Sequence, residues 1–169
     1  MDRKCALFAN PGLARPLHLH YGFSMKTILV PLDFSSSTKE VLDTATTLAQ
    51  ALDASLVLLH AWQAPAIAGD PLLAAAEIAA VQKSAEEFGR TQLERTCEQL
   101  TKQGLTVKQD LRTGLPSAVI LDQAHTLPAD LVVMGSHGHT ALYDLLLGGT
   151  AHAVLKHSPC PVVIVPSKK

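Results

Sequence analysis

The sequence predicts an open α/β fold in which helices cover both faces of a parallel sheet. Short apolar runs alternate with longer stretches of helical periodicity along the 169 residues. These runs are apolar at nearly every position, which is typical of strands that are covered on both faces. Strands separated by helices are joined by right-handed crossovers and therefore pair in parallel. The pattern predicts five strands in a single domain.

The composition excludes several classes of protein. Apolar residues make up 47% of the chain and charged residues 17%, which is typical of a globular protein rather than a disordered one. A net charge of −1 provides no basic surface for nucleic acid. No apolar run reaches the ~18 residues that a membrane span needs. The three cysteines are scattered and form no CxxC pair, so we expect neither a disulfide framework nor a zinc ribbon. A reducing cytoplasm is the simplest setting.

The first 24 residues differ from the rest of the chain. Their brief apolar patch is interrupted by Pro11, Gly12 and Pro16, whereas a secretory signal needs a longer apolar region and a cleavage site. We therefore predict a flexible extension over residues 1–24 and a domain over residues 25–169.

The first strand and helix are predicted at the start of this domain. Residues 27–32 form a short apolar run that predicts a strand. Ser37 and Glu40 have the spacing of a capping box, which predicts the start of a helix. Apolar residues then recur at helical spacing at Val41, Ala45, Leu48 and Leu52. A second continuous apolar run at residues 56–61 predicts the next strand.

A long helix is predicted over residues 72–103. Its apolar residues at helical spacing are Ile78, Val81, Ala85, Phe88, Leu93, Cys97 and Leu100. This stripe shifts near Gly89, which leaves open either a kink or a change of the buried face. Gly104 is a typical residue to end the helix. The more alternating pattern at residues 105–111 predicts a strand near the edge of the sheet.

The last third of the chain contains the remaining elements. A proline fits the first turn of a helix over residues 116–125. Residues 130–134 predict the fourth strand, and residues 141–147 predict one or two helical turns. A short helix over residues 150–157 and a fifth strand over residues 161–165 complete the pattern.

Two glycine-rich turns flank the region after the fourth strand. Gly135 and Gly138 bracket the first turn, and Gly148 and Gly149 precede the final helix at Thr150. Glycine lets the backbone adopt a positive φ and approach a ligand closely. A helix start presents unpaired N–H groups and the positive end of the helix dipole, which attract phosphate. The two turns together predict a nucleotide-binding cradle.

This arrangement resembles the nucleotide motif of the universal stress protein family. That motif reads Gly, two residues, Gly, nine residues, Gly, and then Ser, Thr or Asn. The glycines that fit this spacing are Gly135, Gly138 and Gly148. Gly149 stands at the final position, and Thr150 comes one residue later. The runs at residues 28–35 and 159–166 also resemble the family, so the likeness spans roughly residues 25–166.

The resemblance implies the order of the strands and a surface for self-association. The implied order is 3-2-1-4-5, in a Rossmann-like fold similar to that of the adenine nucleotide alpha hydrolases. Strand order would then reverse between Asp33 and Gly135, where open α/β sheets bind ligands. A homodimer through the edge strand between Pro161 and Val165 is also implied, because an apolar edge strand invites pairing with another copy.

The same resemblance implies a stress-response protein that binds ATP with Mg²⁺. Asp33 would meet the ribose or the base, and Ala61 would offer backbone groups to adenine. Backbone N–H groups in the two glycine turns would hold the triphosphate. The complete expected site consists of Pro31, Leu32, Asp33, Ala61, Met134, Gly135, His137, Gly138, His139, Gly148, Gly149, Thr150 and Ala151. The family often has Lys or Arg at the place of His139.

Other interpretations of these residues stay open. Asp33 could cap the following helix instead of touching a ligand. The glycines could serve only to form a turn and to end a helix. Part of the family lacks ATP binding, and Gly149 supplies no hydroxyl donor. The alternative function is therefore a dimeric interaction module of the same fold that binds no nucleotide.

Enzymatic and metal-binding functions are not predicted. The first strand is followed by no glycine fingerprint for a dinucleotide, and the chain contains no P-loop motif. Ser136 lies outside a nucleophile-elbow motif, and His60 is interpreted as a packed side chain. The histidines show no recognisable zinc-ligand spacing. No placed base or arginine supports phosphoryl transfer, so we expect at most slow ATP hydrolysis.

Overall fold

A five-stranded parallel sheet organises the part of the chain that the computed structural model describes. That part comprises residues 26–63, 71–136 and 147–166, with only the backbone described at residues 71–77. The elements are β1 (Thr27–Pro31), α1 (Thr38–Leu52), β2 (Ser55–Trp62), α2 (Pro71–Lys102), β3 (Val107–Thr113), α3 (Pro116–Thr126), β4 (Leu131–Gly135), α4 (Gly149–His157) and β5 (Val162–Val165). The strand order is β3-β2-β1-β4-β5, with every pair parallel. The predicted fold class and strand order are confirmed.

The alternating residues of the central strands supply two separate cores. Ile28 and Val30 of β1 pack on one face with residues of α1 and α2 such as Val41. Leu29, between them, points to the other face and packs with Ile120 of α3 and with residues of α4. Both faces of the sheet are thus covered by helices. This explains why the strands are apolar at consecutive positions instead of alternating.

The register between β1 and β4 is fixed at the amino ends of the two strands. The carboxylate Oδ2 of Asp130 accepts hydrogen bonds from the N–H groups of Lys26, at 2.8 Å, and Thr27, at 3.0 Å. The N–H of Asp130 donates to the carbonyl of Thr27 at 2.9 Å. Ile28 then lies opposite Leu131. The side chain of Asp130 therefore satisfies two backbone donors where the pairing begins.

The predicted capping box at the start of α1 is wrong. Ser37 is the N-cap residue, but it makes no side-chain cap hydrogen bond because its backbone is already helical, with φ −82 and ψ −4. A capping oxygen needs an extended backbone to reach the helix amides, and Glu40 completes no box here. The hydroxyl of Ser37 instead lies 3.0 Å from that of Ser35. At the carboxyl end of α1, Leu52 is the last residue of the predicted apolar stripe, but its side chain is 39% exposed and Ala49 is the buried residue.

Helix α2 begins to pack on the sheet at Gly89. Val81 and Phe88, which belong to the first half of the predicted stripe, are 42% and 52% exposed. From Gly89 onward the helix packs on the sheet, with Leu93 and Leu100 buried. The helix is continuous across Gly89, and the shift in the apolar stripe marks where the helix begins to pack on the sheet. The apolar stripe before Gly89 belongs to no core that the structure describes.

The two edge strands and the later helices agree with the sequence pattern within two residues at most boundaries. β3 forms one edge, as its alternating pattern predicts, and β5 forms the other. Pro116 occupies the first turn of α3, and α4 begins at Gly149, one residue earlier than predicted. The helical turns predicted at residues 141–147 lie outside the described residues, except for Leu147. No helix in the described ranges is long and apolar enough to cross a membrane.

Gly104 and Gly149 provide a matched test of backbone conformation. Gly104 follows α2 with φ +85, and no described atom lies within 4 Å of a Cβ added there. We expect Gly104→Ala to lower the free energy of unfolding by about 1–2 kcal/mol, because only the left-handed backbone opposes it. A Cβ at Gly149 also meets no described atom, and its backbone is helical. Gly149→Ala should therefore stabilise the protein by about 0.4–1 kcal/mol.

Chemical denaturation of both variants measures this difference. A Gly104→Ala protein that is as stable as the wild type would contradict a left-handed backbone at Gly104.

Candidate functional site

A cavity of about 250 Å³ lies at the carboxyl ends of the central strands. Its volume is close to the lower end of the range for small-molecule sites, which is about 300–1,000 Å³. Strand order reverses between β1 and β4, and open α/β sheets bind ligands at such a reversal. The described residues that line it are Pro31, Leu32, Asp33, Ser37, Thr38, Val41, Leu59, Ala61, Pro116, Ile120, Met134, Gly135, Ser136, Gly148, Gly149, Thr150 and Ala151.

Three helices begin at this cavity. The first residues of α1, α3 and α4 are Thr38, Pro116 and Gly149, and all three line it. Each helix start carries a partial positive charge, so the three together favour an anionic ligand. The hydroxyl oxygen of Thr38 is buried without a hydrogen-bond partner among the described residues. The cavity therefore offers electrostatic attraction to an anion.

The start of α4 is held in place by its own backbone. The N–H of Gly148 donates to the carbonyl of Ser136 at 2.9 Å, and the N–H of Ser136 donates to the carbonyl of Val165 at 2.8 Å. The N–H of Gly148 is thus used within the fold. The next three amides, from Gly149 to Ala151, belong to the first turn of a helix and have no intrahelical acceptor.

The loop after β1 closes a tight turn beside the cavity. The N–H of Leu32 donates to the carbonyl of Leu59 at 2.8 Å. The carboxylate Oδ1 of Asp33 accepts the N–H of Ser35 at 3.0 Å. This bond closes a turn ahead of the helix, since α1 begins only at Thr38. In this bond Asp33 shapes the loop and does not cap the helix.

Phe34 holds this loop in a strained conformation. Its φ is +57, in a region that non-glycine residues enter at a free-energy cost of about 1–3 kcal/mol. Its ring lies 4.9 Å from the ring of His60 and 6.0 Å from the ring of Phe88, measured between centroids. These ring contacts stabilise a backbone conformation that the residue would otherwise avoid.

His60 is a packed side chain, as the sequence predicted. It is 8% exposed, and its Nδ1 donates a hydrogen bond to the carbonyl of Leu32 at 2.8 Å. It lies in β2 between Leu59 and Ala61, which both line the cavity. Since side chains alternate along a strand, the ring of His60 points to the opposite face.

Backbone groups dominate the electrostatics of the cavity. Among its described lining residues, Asp33 is the only one with a charged side chain. The nearby cation Lys39 is exposed and bonds to Asp43, one turn along α1, at 2.5 Å. The hydrogen bond and the charge of Asp43 raise the pKa of the Lys39 ammonium. An anion here would therefore depend on helix starts rather than on these side chains.

The structure brings most of the predicted site residues together. Those that line the cavity are Pro31, Leu32, Asp33, Ala61, Met134, Gly135, Gly148, Gly149, Thr150 and Ala151. His137, Gly138 and His139 lie outside the described residues. No group of three or more His, Cys, Asp or Glu side chains that could hold a metal ion occurs within the described ranges.

Sequence reasoning missed several lining residues. They are Ser37, Thr38, Val41, Leu59, Pro116, Ile120 and Ser136. Ser37 and Thr38 carried a usable signal, because the first helix starts at the same sheet edge as the glycine turns. Ile120 carried none, since its position against β2 and β4 depends on how α3 packs.

Comparison with known proteins gives a consistent family match. The family model described as the universal stress protein family matches residues 25–166. A universal stress protein of Thermus aquaticus, encoded in the 3′ region of a QAH/OAS sulfhydrylase, is 33% identical over 147 residues. That alignment covers 83% of this chain and 98% of the relative.

Solved structures show the same fold. The structure of MJ0577 from Methanocaldococcus jannaschii is 27% identical and superimposes with a TM-score of 0.73, covering 86% of this chain and 99% of that one. A universal stress protein family member from Arabidopsis thaliana, solved with AMP bound, has a TM-score of 0.61 at 20% identity. The alignment covers 85% of this chain and 92% of the Arabidopsis protein. At that identity the second likeness supports the fold alone.

Proposed function

This chain belongs to the universal stress protein family, and we propose that it binds ATP with Mg²⁺ and acts as a nucleotide-dependent regulator in the stress response. The observation that carries the proposal is the cavity at the strand-order reversal, into which the first turn of α4 opens. A structure with this fold has been solved with AMP bound, so the fold is able to hold an adenine nucleotide.

The lining residues fit the parts of ATP. Apolar side chains such as Leu59 and Met134 offer a surface for the adenine ring. The carboxylate of Asp33 is an acceptor for ribose hydroxyls or for the base. The amides of Gly149, Thr150 and Ala151 are donors for phosphate oxygens. Mg²⁺ would be held by those phosphate oxygens and by water, as is usual for this ion.

We propose that the protein works by binding rather than by turnover. The bound and empty forms would then present different surfaces to partners, with at most slow hydrolysis of ATP. The thiols of Cys97 and Cys160 are free, which supports a cytoplasmic setting. The glycine turn around Gly138 and the side chains of His137 and His139 belong to the proposed site through the family resemblance alone.

A second candidate function is an interaction module that binds no nucleotide. Gly149 favours it, because that position supplies no hydroxyl donor, and the N–H of Gly148 is already bonded to Ser136. The two candidates differ in one measurable property, which is the affinity of the wild-type protein for Mg-ATP.

Gly149→Ser tests the phosphate cradle directly. No described atom lies within 4 Å of a Cβ at this position, so the serine side chain has room. A hydrogen bond to a charged phosphate contributes about 1.5–3 kcal/mol. We therefore expect the Kd for Mg-ATP to fall roughly ten- to a hundredfold, measured by isothermal titration calorimetry.

Gly149→Ala is the matched control, because it adds the Cβ without the hydroxyl. Its Kd should stay within about threefold of the wild type. A wild-type protein that binds no nucleotide, together with a Gly149→Ser variant that does, would favour the interaction module.

We also infer a homodimer through β5. This strand is an edge of the described sheet and carries three half-buried apolar residues, Val162, Val163 and Ile164. Pro161 and Val165 accept hydrogen bonds from Val132 and Ser136 through their carbonyls. Because backbone groups alternate in direction along a strand, the N–H and C=O groups of Val162 and Ile164 point away from β4. No described strand pairs with them on that side, so we expect them to pair with a second copy.

Val162→Pro tests this pairing. The substitution removes an outward N–H at the first residue of the strand, where proline is tolerated. Light scattering at tens of micromolar should change from a dimer mass to a monomer mass. Val162→Ala keeps the N–H and should stay dimeric. A wild-type protein that is monomeric under these conditions would contradict the inferred interface.

A further inference from the structure

We propose that His60 is a positioning residue that prepares the β1–α1 loop for the nucleotide from the opposite face of the sheet. This inference rests on the proposed nucleotide site, because the loop it holds contains Asp33. His60 itself does not line the cavity. Its action would pass through the backbone of Leu32 and the ring of Phe34.

Both backbone groups of Leu32 are fixed by β2. Its N–H donates to the carbonyl of Leu59 at 2.8 Å, and its carbonyl accepts from Nδ1 of His60 at 2.8 Å. The first bond continues the sheet ladder beyond the last residue of β1. The second is made by a side chain that is 8% exposed, in surroundings that water does not reach easily. Leu32 is therefore held from two neighbouring residues of one strand.

The aromatic contacts extend this hold by two residues. The ring of Phe34 lies near the rings of His60 and Phe88, at centroid distances of 4.9 Å and 6.0 Å. Phe34 has a φ of +57, so its backbone needs such contacts to stay in place. Asp33 lies between the two held residues, and its carboxylate closes the turn with Ser35 at 3.0 Å.

Gly89 allows α2 to pack directly on His60. A Cβ at this position would lie 2.6 Å from Cδ2 of the histidine ring and 3.0 Å from Cδ1 of Leu111. The ring is thus confined by the helix above it. Gly89 is also where α2 begins to pack on the sheet. A larger residue would force the ring away from Leu32.

A loop fixed before binding loses less conformational freedom when the ligand arrives. The hydrogen bond of His60 and its ring contact hold the loop without occupying any of the cavity. Removing them should release the loop without substituting any residue that lines the cavity. The mobile loop would then have to be ordered on binding, which would weaken nucleotide binding, and it would open faster in the free protein.

His60→Leu, His60→Asn and Gly89→Ala test the proposal in the full-length protein. Leucine keeps a comparable bulk but removes the donor. Asparagine places an amide nitrogen at the same number of bonds from Cα as Nδ1, so it can restore the bond to Leu32. Gly89→Ala keeps the histidine but displaces its ring. Leu100→Ala is the matched control, because it destabilises the same core at the far end of α2, where Leu100 is 4% exposed.

Two readouts separate this proposal from general destabilisation. The first readout is the Kd for Mg-ATP, which we expect His60→Leu and Gly89→Ala to raise about tenfold. His60→Asn should recover most of that loss of affinity. Leu100→Ala should lower the melting temperature without changing the Kd. The second readout is the rate of hydrogen exchange at the Ser35 amide, measured without nucleotide. This rate should increase only in His60→Leu and Gly89→Ala.

The outcomes distinguish this proposal from the proposed function. A wild-type protein that binds no ATP would end the nucleotide proposal, and the exchange rate of Ser35 would still decide whether His60 holds the loop. Unchanged exchange in His60→Leu overturns the inference. So does a Leu100→Ala variant that weakens binding as much as His60→Leu.

Discussion

The parallel pairing of β1 with β4 is the contact on which the site depends. Asp130 fixes its register by accepting two backbone hydrogen bonds from Lys26 and Thr27. Helix α1 leaves β1 toward one face of the sheet, and α4 packs on the other. The connections therefore diverge at the carboxyl ends of these neighbouring strands, and a cavity is left between them. The cavity is a consequence of strand order and not of any single lining residue.

Much of the fold could be predicted from the chain because its strands are short, apolar and separated by helical patterns. Physical reasoning gave the elements and their parallel pairing, whereas the strand order came from the family resemblance. The errors have local causes. Ser37 and Glu40 have the spacing of a capping box, but spacing does not determine the backbone angles that a cap needs. The stripe from Ile78 to Phe88 has helical periodicity, but periodicity does not say whether a helix reaches the core.

The site was predictable only where a residue type carried its own signal. Glycines around the fourth strand and Asp33 after the first were recognisable because they stand at strand ends, where loops bind ligands. Ile120 and Leu59 look like ordinary core residues in the sequence, and only packing brings them to the cavity. His60 shows the same limit more sharply. Its hydrogen bond to Leu32 joins residues 28 positions apart, and no local pattern predicts it.

The length of α2 has a consequence for how the chain is degraded. Its 32 residues span about 48 Å, whereas the eight residues of β2 span only about 26 Å. Between residues 78 and 88, the described side-chain contacts include two exposed ion pairs, Lys83 with Glu87 and Glu86 with Arg90, and the ring contact of Phe88 with Phe34. Val81 and Phe88 are exposed in this part of the helix, so its turns unwind at lower cost than the turns after Gly89, where Leu93 and Leu100 are buried. A protease would thus make its first cuts in this arm and would stop where Gly89 meets the sheet.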